Sequence, residues 1–182
     1  MTRTNPAQLP FKRLESSVKT SPELKRIFCV GPLGCLITLI LWCGTGALEK
    51  IVSFPKMNIN PTFRTILMAI LAIDALYLLF GSVLSLPIQE RGKTLSTTGP
   101  YKYIRHPLYS AIIYSITGLL ALWFESWLLL FSVVVLTLIW SFLVQKEEQY
   151  MLDKFGKTYK DYIEKTGQFL PSWKALKKET EN

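Results

Sequence analysis

The chain has 182 residues, 49% of them hydrophobic, and carries a formal charge of +8. That length suits one domain of roughly 100–200 residues. Such apolar content beside so much charge excludes an ordinary soluble globule and fits a membrane protein with its charges in loops. No basic soluble region is left over for nucleic acid, and no His/Cys cluster points to a metal.

In chain order, residues 1–26 come first, with six Lys/Arg. They read as a cytosolic N-terminal segment, with Phe11, Leu14 and Val18 on one face of a short interfacial helix. Ser21-Pro22-Glu23 reads as N-cap, first helical proline and first-turn acid, so the first helix is expected to begin at Pro22. Residues 27–48 then run without a charge. This stretch exceeds the 7–15 apolar residues of a signal peptide and starts too far from Met1, so it is expected to stay as an anchor. Cys29, Cys35 and Cys43 all fall within it, at spacings that match no zinc pattern, and read as small packing residues.

The second apolar segment, residues 63–86, contains only Arg64 and Asp74 as charges. An acid in mid-span is expensive, so Asp74 reads as a relay or substrate contact, or as a protonated carboxyl bonded to a neighbouring helix. Pro55 and Pro61 bracket the preceding loop, and Pro87 ends the helix. Residues 108–124 and 127–144 are also charge-free, separated only by Glu125-Ser126. A spanning helix takes about 20 residues, so this pair reads as a tight hairpin that spans; one that penetrates without crossing is the alternative. Four spans with both termini in the cytosol place 18 of the 21 Lys/Arg on the cytosolic face.

Beyond the hairpin, Met151, Phe155, Tyr159 and Tyr162 recur at helical steps against lysines, which predicts an amphipathic helix over 146–165. Gly156 divides it, Gly167 is its expected C-cap and Pro171 stops further helix. The expected fold is all-α: a polytopic bundle of about four transmembrane helices with a C-terminal amphipathic cytosolic cap. Its parts are residues 1–26, two N-terminal helices in 27–86, and a catalytic half in 87–182.

The densest chemistry lies between the second and third segments, in the run from Gly99 to Tyr109. It holds His106, the only histidine. A residue before proline is pushed out of the helical region, and proline is favoured at the first helical position. The third helix is therefore expected to start at Pro107, with free N–H groups able to hold an anion beside Arg105 and Lys102. Antiparallel neighbours pack roughly 8–10 Å apart. Two hairpin arms of near-equal length then bring Glu147 and Glu148 back beside His106 and Tyr109. Each residue alone has an ordinary reading: a snorkelling arginine, belt tyrosines, a solvated helix start. Their convergence at a bilayer edge favours an active site.

These residues resemble the membrane methyltransferase superfamily that includes isoprenylcysteine carboxyl methyltransferases and phospholipid N-methyltransferases. The resemblance covers roughly residues 90–171. It rests on Leu95 to Gly99, Pro100-Tyr101, Arg105 to Tyr109, Glu147-Glu148, Phe155-Gly156 with Tyr159 and Tyr162, and Phe169-Leu170-Pro171. It implies S-adenosylmethionine bound on the cytosolic side under a C-terminal cap. It also implies a cofactor wall of Lys93, Thr94, Leu95, Ser96, Tyr101, His106, Pro107, Leu108 and Tyr109. Glu147 and Glu148 would face the substrate, with Glu147 and Arg105 as the catalytic pair. The implied acceptor is a lipophilic or amphipathic small molecule. A lipid amine, a thiol and a prenylated acceptor are all open, in a bacterial inner membrane or an endoplasmic reticulum. The prenylcysteine enzymes carry an arginine four residues before the Glu147 position, where this chain has Leu143. A sterol-type reductase using NADPH, and a non-catalytic protein that keeps the fold, are the rival readings.

Overall fold

The computed structural model describes residues 30–87 and 90–172. The expectations for residues 1–26, for the helix start at Pro22 and for Cys29 lie outside the described residues. Helix α1 spans Val30–Val52 and α2 spans Pro61–Ser85. Helix α3 runs over Pro107–Trp123, α4 over Trp127–Phe155 and a short α5 over Lys157–Lys165. The described residues are otherwise turns and loops, with one isolated backbone bridge from Ile104 to Gly167.

Three of these helices, α1, α2 and α4, are long and apolar enough to cross a membrane, while α3 is shorter. Large apolar side chains point outward along all three, among them Ile40, Ile73 and Leu138, each more than 60% exposed. A soluble monomer rarely carries so much exposed apolar surface. In a bilayer these side chains meet lipid, and the helices satisfy their own backbone groups. The protein is an integral membrane protein, with three long apolar helices and α3 as the short arm of the expected hairpin.

The bundle alternates up and down. Asn60 caps α2, its side chain accepting from the Thr62 and Phe63 N–H groups, and Pro61 takes the first helical position. Ser126 caps α4 by accepting from Leu129 N–H at 3.1 Å. Between α3 and α4, Glu125 adopts a left-handed φ of 54° and pairs with Arg64 at the start of α2. The turn is therefore closed by a charge pair at the end of the bundle away from His106.

Helix α3 is not regular. A π-helical stretch covers Ala111–Ile116, and the Thr117 hydroxyl donates to the Ile112 carbonyl at 2.8 Å. Within this stretch Ser115 donates to the Asp74 carboxylate on α2. Asp74 thus bonds to a neighbouring helix. Close packing of α1 on α4 depends on Gly34, where a Cβ would lie 2.4 Å from the Trp140 indole. That indole is fully buried and donates to Thr38 Oγ1 at 3.0 Å. Trp140 joins Ile113, Leu136, Val144 and Phe169 in the main core cluster.

Two expectations for the tail are corrected. The fourth helix does not stop at Val144, because nothing in Val144-Gln145-Lys146 breaks a helix; α4 continues past its charge-free part to Phe155. Gly156, at φ 52°, then turns the chain into α5. Gly167 is not the C-cap of α5; Thr166 is. Gly167 instead pairs along Tyr103–Arg105: its N–H donates to the Tyr103 carbonyl at 3.0 Å, and its carbonyl accepts from Arg105 N–H at 2.8 Å. A side chain at Gly167 would collide with the Leu170 carbonyl.

Candidate active site

The site forms where three segments meet at one end of the bundle. The first is the loop leaving α2. Ser96 donates to the Ser85 carbonyl at 3.0 Å, and the Gly92 carbonyl accepts from Lys154 Nζ at 2.7 Å, so the loop is tied to both α2 and α4. The second is the run into α3. A 3₁₀ turn over Gly99–Lys102 buries Pro100 and Tyr101. His106 follows in a non-helical conformation (φ −123°, ψ 62°), and its carbonyl accepts the Ser110 N–H at 2.9 Å, the first helical bond of α3. The proline after it dictates this shape. The third is the end of α4 with the strap beyond α5. His106 N–H donates to the Gln168 carbonyl at 3.0 Å, and the Ser110 hydroxyl to the Phe169 carbonyl at 2.6 Å.

The hairpin does bring its ends together. His106 Nε2 lies 3.2 Å from Glu148 Oε1, and Nδ1 lies 3.7 Å from Glu147 Oε2. The second distance is ion-pair range and too long for a hydrogen bond. The Tyr109 hydroxyl donates to Glu147 Oε1 at 3.1 Å. The imidazole stacks on the Tyr109 ring, with centroids 5.6 Å apart, and Tyr109 packs on Trp140. Arg105 Nε donates to Glu148 Oε1 at 3.0 Å, and its Nη1 donates to the Thr166 carbonyl at 2.7 Å. Gln168 donates to the same Glu148 oxygen at 3.2 Å, while accepting from Ser141 at 3.1 Å.

The two adjacent carboxyls lie in opposite electrostatic settings. Burial pushes Glu147 above the usual carboxylate range, and the opposing pull of His106 and the Tyr109 hydrogen bond does not cancel it. Burial also acts on Glu148, but there the His106 hydrogen bond and the charges of His106 and Arg105 prevail and hold it down at about 2. One site thus pairs a carboxyl suited to accepting a proton with one that stays ionised as a fixture. Burial raises the phenols of Tyr101, Tyr159 and Tyr162, which keeps their O–H groups intact as donors.

These groups surround a cavity of about 120 Å³. Its wall includes Thr94, Leu95, Ser96, Tyr101, Arg105, His106, Pro107, Leu108, Tyr109 and Glu147, all singled out from the sequence. Lys93 and Glu148 are not on it: Lys93 is exposed, and Glu148 faces Arg105, His106 and Gln168. Leu143 is half-buried and also off the wall. Met151, Tyr159 and Tyr162, expected as one face of an amphipathic helix, form the cavity's cap side. Sequence reasoning missed Arg91 and Tyr150 as wall residues. Tyr150 sits one helical step from Glu147 and was legible on that ground; Arg91 counted only as a loop charge.

No curated protein sequence matches the chain. Residues 62–158 match the sequence model described as phospholipid methyltransferase. That span takes in α2, the cavity loop, the His106 run, α3 and the Glu147-Glu148 pair, and it covers more than half of the chain. The chain belongs to the phospholipid methyltransferase family of membrane methyltransferases.

Proposed function

We propose that the protein transfers a methyl group from S-adenosylmethionine to a lipophilic or amphipathic small acceptor that partitions into the membrane. The observation that carries this reading is the single cavity shared by the His106 run, the Thr94–Ser96 loop and Glu147, at the polar end of an apolar bundle. The wall chemistry fits the cofactor. The rings of Tyr101, Tyr109, Tyr150, Tyr159 and Tyr162 suit a sulfonium by cation–π attraction. When bound, the cofactor supplies a methyl group activated on a positively charged sulfur.

Thr94, Leu95, Ser96 and Tyr101 would hold the cofactor with the run from His106 to Tyr109. Lys93, exposed beside this wall, would act through its backbone. In-line displacement needs alignment above all. Arg105 and Glu148 provide that alignment by locking His106 and the strap. For an amine or thiol acceptor, the bond from acceptor to methyl carbon forms as the carbon–sulfur bond breaks, and Glu147 takes the acceptor's proton. Leu143, where prenylcysteine enzymes carry an arginine, favours a lipid amine, a thiol or another small amphipath over a prenylcysteine carboxylate.

The test is incubation of the full chain in lipid nanodiscs with methyl-labelled cofactor. The acceptor panel holds aminophospholipids, small thiols and isoprenylated cysteine analogues. Label is expected in one acceptor class. Absence of label from every class, with no binding of S-adenosylhomocysteine, overturns the reading and favours a non-catalytic role.

A further inference from the structure

The cavity wall contains two arginines, and they differ in what holds them. Arg105 is held through Nε by Glu148 and through Nη1 by the carbonyls of Thr166 and Ile163. Arg91 lines the same cavity, yet among the described residues its Nε is buried and has no hydrogen-bond partner. Buried polar groups almost always find a partner, and a charged one left alone is costly. Arg91 shares the cavity wall with Tyr101 and Glu147. The cavity thus has a cationic wall on the loop and an anionic one on α4.

A guanidinium takes a carboxylate side-on, through Nε and one terminal nitrogen together. Arg91 sits on the same loop as Thr94, Leu95 and Ser96, the stretch assigned to the cofactor above. We propose that Arg91 is the anchor for the carboxylate at the amino-acid end of the methyl donor. The proposal rests on the methyl-transfer reading and adds a residue that no motif in the chain picks out. Arg91 does not touch the reacting atoms in this account. It fixes one end of the donor so that its sulfur faces the acceptor near Glu147.

Calorimetric titration of the full chain in detergent tests this with two ligands, S-adenosylhomocysteine and its decarboxylated analogue, which keeps the ammonium. In R91Q, affinity for S-adenosylhomocysteine is expected to fall tenfold or more, while affinity for the analogue stays within twofold. R91K keeps the charge and loses the fork, so it is expected to lose severalfold on the first ligand and nothing on the second. Variants that bind both ligands as the wild type does, or lose both equally, overturn the assignment. Loss confined to the acceptor's KM also overturns it, by giving the anion to the acceptor. A wild-type protein that binds neither ligand overturns the methyl-transfer reading, and this assignment with it.

Discussion

Glu147 and Glu148 are neighbours in sequence, yet the helix turns them into different surroundings. Glu147 faces the cavity with its acidity weakened by burial, and its Oε1 accepts from the Tyr109 hydroxyl. E147Q is expected to lower turnover by about 100-fold, in the range of a lost general base. Binding of S-adenosylhomocysteine should change less than about twofold. The wild-type rate should fall on an acidic limb lying above the usual carboxylate range, and the variant should lack that limb. A variant that instead stops binding the cofactor gives Glu147 to the binding wall. Glu148 obeys the opposite sign. Its folded-state value of about 2 lies below its ordinary 4.5, so its stabilisation is present above about pH 4.5 and is lost as pH falls toward 2. E148Q is expected to weaken the fold by on the order of 2 kcal/mol at pH 7. It should also flatten the melting profile between pH 4.5 and 2. A variant melting like the wild type across that window removes Glu148 from the framework.

At the scale of elements, the continuous α4 is what makes the cluster rigid. Both carboxyls sit on the same helix as Trp140, whose fit against Gly34 fixes α4 on α1. The cap is less firmly built. α5 is short, follows a glycine break, and is held through Tyr162 to the Tyr101 carbonyl at 2.6 Å, by Arg105 on the Ile163 carbonyl at 3.4 Å, and through the strap. The cavity of about 120 Å³ is smaller than the roughly 300–1,000 Å³ of pockets that enclose drug-sized ligands, so the cap is the part that must yield to a ligand. Amide exchange is expected to slow over residues 157–169 on saturation with S-adenosylhomocysteine, with residues 61–85 unchanged. Equal slowing in both, or none in the cap, removes α5 as the lid. Much of this arrangement was legible in the chain. The apolar runs gave the helices, the near-equal arms of the hairpin gave the convergence, and Pro107 gave the start of α3. What was not legible depended on contacts distant in sequence. Gly167 looked like a helix stop because its partner, the Tyr103–Arg105 backbone, lies far away along the chain. The π-helical stretch of α3 follows from no local pattern, and Arg91 carries no motif to mark it.

For the whole molecule, the charge distribution carries an expectation about which side of the bilayer the site faces. The described loop at the far end carries Lys56, with Lys50 and Arg64 at the helix ends beside it, while the other described basic residues, from Arg91 to Lys165, lie at the His106 end. Basic loops stay in the cytosol, so the cavity is expected to open on that side. Single cysteines placed at Thr97 and at Asn58, in a chain cleared of its own, should separate the two faces. Both positions are exposed, at opposite ends of the bundle. An impermeant maleimide added to intact cells is expected to label Asn58→Cys and to reach Thr97→Cys only after permeabilisation. The reverse pattern inverts the protein and moves the cavity to the other compartment.

The backbone pairing between Tyr103–His106 and Gly167–Gln168 has a consequence for how the protein is made. The imidazole-bearing stretch is translated early and leaves the ribosome with one side unpaired. Its other edge arrives only with the last part of the fold, as Phe169 seals against Ile113 and Trp140. The edge of the His106 stretch is therefore expected to stay unpaired in a nascent chain until the segment carrying Phe169 has been made.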